Sequence, residues 1–142
     1  MRALLILCLL LSVGGISTCE AQTWLQQSGT WRPPATARQI TPDSMWLAQY
    51  KEAEKCVGWQ GDVADVKWFL VPGSTIAGER GESNIAIWTP PHSIYITEAY
   101  AKTPWVIRHE SLHDILRIVN HPTGIWGKLC AATWGYLNPE GA

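Results

Sequence analysis

Two histidines four residues apart, His109 and His113, with Glu110 between them, constrain this chain more than any other feature. On an α-helix, residues at i and i+4 project about 40° apart and one turn along, so both imidazoles reach one point from one face. Glu110 then falls beside that point. Such a set needs a helix with buried support, and the flanking sequence supplies one. Thr103-Pro104 is an N-cap and first-turn pair, because proline lacks the N–H that a first turn leaves unpaired. Leu112, Ile115, Leu116 and Val119 recur at i, i+3, i+4 and i+7. A well-buried amphipathic helix from about 104 to 118 is predicted.

Paired imidazoles are metal ligands, and a carboxylate beside the ion can hold or deprotonate a water. The five residues His109-Glu110-Ser111-Leu112-His113 match the H-E-x-x-H signature of zinc metallopeptidases. The competing reading is a structural helix that carries two surface histidines.

The N-terminus bears on compartment. Met1-Arg2 precedes the apolar run Ala3–Leu11, which is too short to span a bilayer, and small and polar residues follow. Residues 1–21 read as a secretory signal peptide cleaved after Ala21. In a rival reading, Ile16-Ser17-Thr18-Cys19 is a lipobox and Cys19 carries a lipid anchor at the cell envelope, although Thr18 fits that pattern poorly. No other stretch is long and apolar enough to cross a membrane.

About 121 residues remain, enough for one small domain. A net charge of −1 and the lack of a basic stripe argue against a nucleic-acid partner. Cys56 and Cys130 are most simply a disulfide in an oxidising compartment. It would close a loop of about 75 residues, worth up to about 4 kcal/mol through chain entropy. A thiolate metal ligand at Cys130 is the alternative. The nine tryptophans read mainly as core filler, with a groove for peptide or sugar as the second possibility.

Along the chain, residues 22–42 are rich in Gln, Thr, Pro and Gly and form an irregular lead-in or surface strap. Thr41-Pro42-Asp43-Ser44 starts a helix. Trp46, Leu47, Tyr50 and Ala53 continue it from about 43 to 56, and Val57-Gly58 ends it. Val63–Val71 alternates, with Val66, Trp68 and Leu70 on one face, and stops at Pro72-Gly73. Gly78–Ser83 is a polar turn. Ile85–Trp88 and Ser93–Thr97 are short strands around the turn Thr89-Pro90-Pro91-His92. The tail from 121 onward shows no regular pattern.

Two main helices and a small mixed or antiparallel sheet define an α+β domain over 43–142, with one disulfide. In element order it resembles a minimal zincin-type metallopeptidase. At residue level the run Val106–Asp114, then His121-Pro122 and Cys130, is similar to small secreted bacterial metallopeptidases. The resemblance implies Zn²⁺ as cofactor and a peptide or protein substrate, peptidoglycan peptides included. It also implies that the strand before the motif helix, Ser93–Thr97, forms a sheet edge to which substrate adds as a strand.

A catalytic zinc normally has three protein ligands and an open position. Metzincins place Gly and a third His at fixed steps after the motif, where this chain has Leu116 and Val119. Gluzincins use a downstream Glu, and here only Glu140 follows, two residues from the end. No Asp follows Asp114, so an aspzincin-like ligand is missing too. His121 is left as the third ligand. Asn120 tolerates the left-handed conformation that ends helices near Val119-Asn120, and Pro122 biases His121 toward extended backbone, so the chain can fold back over the motif face. The alternative is a loop histidine at a turn.

Asp114, which projects about 100° from His113, reads as a carboxylate that orients a ligand or a neighbouring arginine, with Arg108 as candidate partner. His92 reads as a surface residue, with substrate contact as the alternative. Tyr136 reads as a packing residue, with oxyanion stabilisation as the alternative. The expected chemistry is amide hydrolysis, with Glu110 as general base toward a zinc-activated water. Two other classes stay open: a non-catalytic zinc-binding module, and an envelope-associated binding module whose tryptophans form a ligand surface.

Overall fold

Asp43 accepts a hydrogen bond on its side chain from the Trp46 N–H and so caps helix α1, Ser44–Val57. Gly58, at φ 70°, closes that helix in the left-handed conformation, where a side chain would be strained. The computed structural model describes residues 31–122 and 124–132. The expected signal peptide, Cys19, Tyr136, Glu140 and the first part of the lead-in lie outside the described residues.

The remaining elements follow in chain order. Strand β1 is Arg38–Ile40, and after α1 come β2, Lys67–Val71, and the two-residue strands β3, Ile76–Ala77, and β4, Ser83–Asn84. Strands β5, Ala86–Thr89, and β6, Ser93–Thr97, lead through a 3₁₀ turn, Glu98–Tyr100, into helix α2, Pro104–Leu116. A π-helical turn, Gly124–Leu129, is the last element among the described residues. The fold is α+β, as expected. Its main sheet is mixed, in the order β1-β2-β6-β5, with β2 and β6 parallel and the other neighbours antiparallel.

Period-two alternation divides the sheet's side chains between two faces. Trp68, Leu70, Ile94, Ile96, Ala86 and Trp88 share one core with Trp46, Tyr50 and Ala53 of α1 and Val106, Ile107, Leu112 and Ile115 of α2. On the other face Tyr95 stacks on Phe69, with ring centroids 4.5 Å apart, and packs with Val71 and Ile76. Disulfide Cys56–Cys130 ties the end of α1 to the π-helical turn, with the Cα atoms 5.4 Å apart.

Several sequence expectations need correction. The lead-in contains a strand, because β1 pairs with β2, and Trp31 packs edge-on against Tyr95 at 5.1 Å. The stretch before Lys67 is a turn, so β2 is shorter than Val63–Val71. The polar turn expected over 78–83 is present, and it also closes a small hairpin, β3–β4. Strand β6 is not a sheet edge. It lies between β2 and β5, so both of its sides are paired and strand addition there is ruled out. Helix α2 ends at Leu116 rather than near Asn120. Arg117 takes the left-handed conformation at φ 57°, and its guanidinium reaches Asp114, His92 and the Pro91 carbonyl. Those contacts offset a backbone state that costs an arginine about 1 kcal/mol.

Candidate metal centre

Helix α2 places His109 and His113 one turn apart, with ring centroids separated by 5.0 Å. The early stop at Arg117 turns the chain back, and His121 comes over both. The Nε2 of His121 lies 2.9 Å from that of His109 and 3.0 Å from that of His113, and the first two stand 3.2 Å apart. Four tetrahedral bonds of zinc–imidazole length require nitrogen atoms about 3.3 Å apart, so a slight opening of this trio fits the ion.

Backbone carbonyls set the tautomers. His109 Nδ1 lies 3.0 Å from the Ala132 oxygen, and His113 Nδ1 lies 2.6 Å from the Ile118 oxygen. A carbonyl only accepts, so both Nδ1 atoms carry the proton and both Nε2 atoms present lone pairs to the middle of the trio. Burial holds both rings neutral. It pushes the pKa of His109 down to about 4, against the opposing effect of the Ala132 bond, and that of His113 down to about 3, helped by nearby His109. Burial also lowers that of His121. His113 is buried, His109 half-buried and His121 exposed, so the trio opens to solvent on the His121 side.

Glu110 is 5% exposed. Burial raises its pKa to about 8, and a backbone hydrogen bond from Trp88 acts the other way. Glu110 and His109 border a cavity of about 290 Å³, walled by Ile85, Ala86, Trp105 and Val106 with Ser83 and Asn84. Ala86 belongs to β5, whose outer side carries no further strand among the described residues.

The structure brings together His109, His113 and His121, sets Glu110 beside His109 on the lining of the cavity, and joins Cys56 to Cys130, which removes Cys130 as a thiolate ligand. Asp114 does not pair with Arg108. That arginine donates to Gln49 Oε1 and to the Cys130 carbonyl, bracing α2 against α1 and the π-helical turn. Asp114 is fully buried and takes Arg117 as its cation instead. His92 is not a free surface residue, since its Nδ1 lies 3.2 Å from Asp114 Oδ1.

Sequence reasoning missed Trp126 and Trp88. The Trp126 ring is fully buried and lies 5.1 to 6.0 Å from the rings of all three histidines. Trp88 lies nearly parallel to His113, with centroids 6.1 Å apart. Their spacing in sequence carries no metal-site pattern; only the aromatic excess hinted at such walls. No family model, curated protein or solved structure matches this chain.

Proposed function

We propose that this chain is a secreted zinc-dependent peptidase whose ion is held by His109, His113 and His121 and whose general base is Glu110. One observation carries the reading: two imidazoles with their Nδ1 protons on carbonyls face each other through Nε2 lone pairs at 3.2 Å, with a third Nε2 at 2.9 and 3.0 Å. Converging lone pairs repel unless a cation lies among them.

When bound, zinc supplies Lewis-acid chemistry, polarising an amide carbonyl and making water acidic enough to lose a proton near neutral pH. Glu110 would accept that proton as the water oxygen bonds to the carbonyl carbon, and would return it to the leaving amine nitrogen as the amide C–N bond breaks. His121 keeps the centre accessible, and the cavity beside Glu110 gives a substrate side chain a place to sit.

The resemblance to zincins supports this reading through the motif and the order of helix, sheet and helix. The substrate is a peptide or protein, with peptidoglycan peptides among the candidates. Residues 1–21 act as an export signal, which suits a chain that keeps a disulfide. No described helix is long and apolar enough to cross a membrane. A second reading, a zinc-binding module without catalysis, draws on the near-complete burial of Glu110.

Elemental analysis combined with a peptide-hydrolysis assay tests both. About one zinc per chain is expected, and Glu110→Gln should keep the zinc while losing about 100-fold or more of the hydrolysis. Full hydrolysis by Glu110→Gln removes the base assignment. Zinc without hydrolysis in the unsubstituted protein favours the non-catalytic module.

A further inference from the structure

We propose that Trp88, pinned through its indole N–H by Asp114, is a positioning residue that holds both His113 and Glu110. The inference rests on the metal-centre reading above and identifies what keeps that centre in register with the sheet.

Asp114 follows His113 directly on α2, yet it hydrogen-bonds none of the three histidines. Its side chain is fully buried. One oxygen accepts from the Tyr50 hydroxyl at 2.8 Å. The other accepts from Trp88 Nε1 at 3.0 Å and from Arg117 Nη1 at 3.1 Å, with His92 Nδ1 at 3.2 Å. Burying a carboxylate costs several kcal/mol unless partners of this kind surround it. An apolar residue would fill the same space without that cost, but it would leave the indole unanchored.

An indole has two rotatable side-chain bonds, and an N–H held by an ionised acceptor selects one orientation for the ring. In that orientation the Trp88 ring lies 15° from the plane of the His113 ring. The backbone of the same residue hydrogen-bonds Glu110. His113 is therefore fixed on three sides: the Ile118 carbonyl at Nδ1, the Trp126 ring, and the Trp88 ring. Trp88 also meets Glu110 through its backbone. A rotation of its indole would release a wall of His113 and disturb the strand that carries the Glu110 contact.

Tyr50 provides the control. Tyr50→Phe removes a hydrogen bond from the same carboxylate without touching Trp88, whereas Trp88→Phe keeps an aromatic ring at that position and loses the anchor together with part of the buried indole's volume. Zinc affinity, by competition with a chromophoric chelator, and the visible spectrum of the Co²⁺-loaded protein are measured on the full disulfide-bonded chain. Trp88→Phe is expected to weaken zinc about tenfold and to change the Co²⁺ bands. Tyr50→Phe is expected to melt earlier while keeping the affinity and spectrum of the unsubstituted protein. Equal effects of the two variants, or native affinity in Trp88→Phe, would overturn the proposal. If Trp88→Phe fails to fold, Asp114→Asn, which keeps the shape and holds the indole through a neutral acceptor, should show the same loss. Native affinity there overturns the proposal as well. An unsubstituted protein that binds neither Zn²⁺ nor Co²⁺ defeats the metal-centre reading itself, a result distinct from the others.

Discussion

The Nε2 atoms of His109 and His113 stand 3.2 Å apart, and each ring has its Nδ1 turned outward to a backbone carbonyl. The two lone pairs therefore face each other at the centre of the proposed site. Proton occupancy is the cheapest way to examine that arrangement without metal.

In the metal-free protein, His109 and His113 are depressed from 6.5 to about 4 and about 3, so their contribution to stability is present above pH 6.5 and lost as pH falls through those values. His121 acts with the same sign. Glu110, raised from 4.5 to about 8, has the opposite sign: its contribution is present below pH 4.5 and lost as pH rises through 8. Between 4.5 and 6.5 the histidines outweigh the single glutamate, and above 6.5 the glutamate acts alone. Stability should therefore peak at about pH 6.5 as far as these groups decide it. Thermal melts in chelator check this, with Glu110→Gln expected to flatten the alkaline side. A melting temperature that climbs steadily through pH 8 contradicts it.

The three histidines of the proposed centre should not be equivalent. His113 is buried and braced, while His121 is exposed and shows no partner at Nδ1 among the described residues. His113→Ala should abolish zinc binding at micromolar concentrations. His121→Ala should retain a weaker site, reduced by about 100-fold, that still responds to chelator titration. Equal losses in both variants would mean that bracing does not distinguish them.

The disulfide should matter to the metal as well as to the fold. Cys130 lies two residues before Ala132, whose carbonyl orients His109, and its own carbonyl accepts from Arg108. Replacing Cys56 and Cys130 together with serine should cost about 2–4 kcal/mol in denaturant unfolding. Zinc affinity should fall about tenfold in the fraction that remains folded. Unchanged affinity in the folded fraction would separate the staple from the centre.

Gly61 is a small residue with a large effect. A Cβ there would collide with the Tyr50 hydroxyl and press on Ile115. Gly61→Ala should displace Tyr50 from Asp114 and lower stability by about 1–3 kcal/mol in equilibrium unfolding. A neutral result would show that this loop yields without disturbing the buried carboxylate.

Both helices were legible because their signals are local. Asp43 and Gly58 mark the ends of α1, and proline at the first turn with apolar spacing marks α2. The approach of His121 to His109 and His113 was legible too, since elimination of the other candidates pointed to that residue. The stop at Arg117 was not, because an arginine in the left-handed state depends on partners 25 and 26 residues away in sequence, His92 and Pro91. Nor was the interior position of β6. Short strands of similar character, Ile85–Trp88 and Ser93–Thr97, do not disclose which of them pairs with β2. The parallel match of Lys67–Val71 with Ser93–Thr97 is a non-local choice made by packing Trp68 and Leu70 against both helices. The burial of Asp114 likewise depends on Tyr50, 64 residues earlier, and Trp88, 26 residues earlier.

His109, His113 and His121 span only twelve residue steps, whereas the disulfide joins cysteines 74 apart. Ligands so close in sequence can gather around an ion while the rest of the chain is still unfolded. Metal held by the unfolded chain reduces the stability that metal adds to the native state, so zinc should raise the melting temperature by less than its native affinity suggests. The same proximity means that ion capture can precede oxidation of the cysteines. In the proposed centre, the order of metal binding and disulfide closure would then be open to control by this short segment.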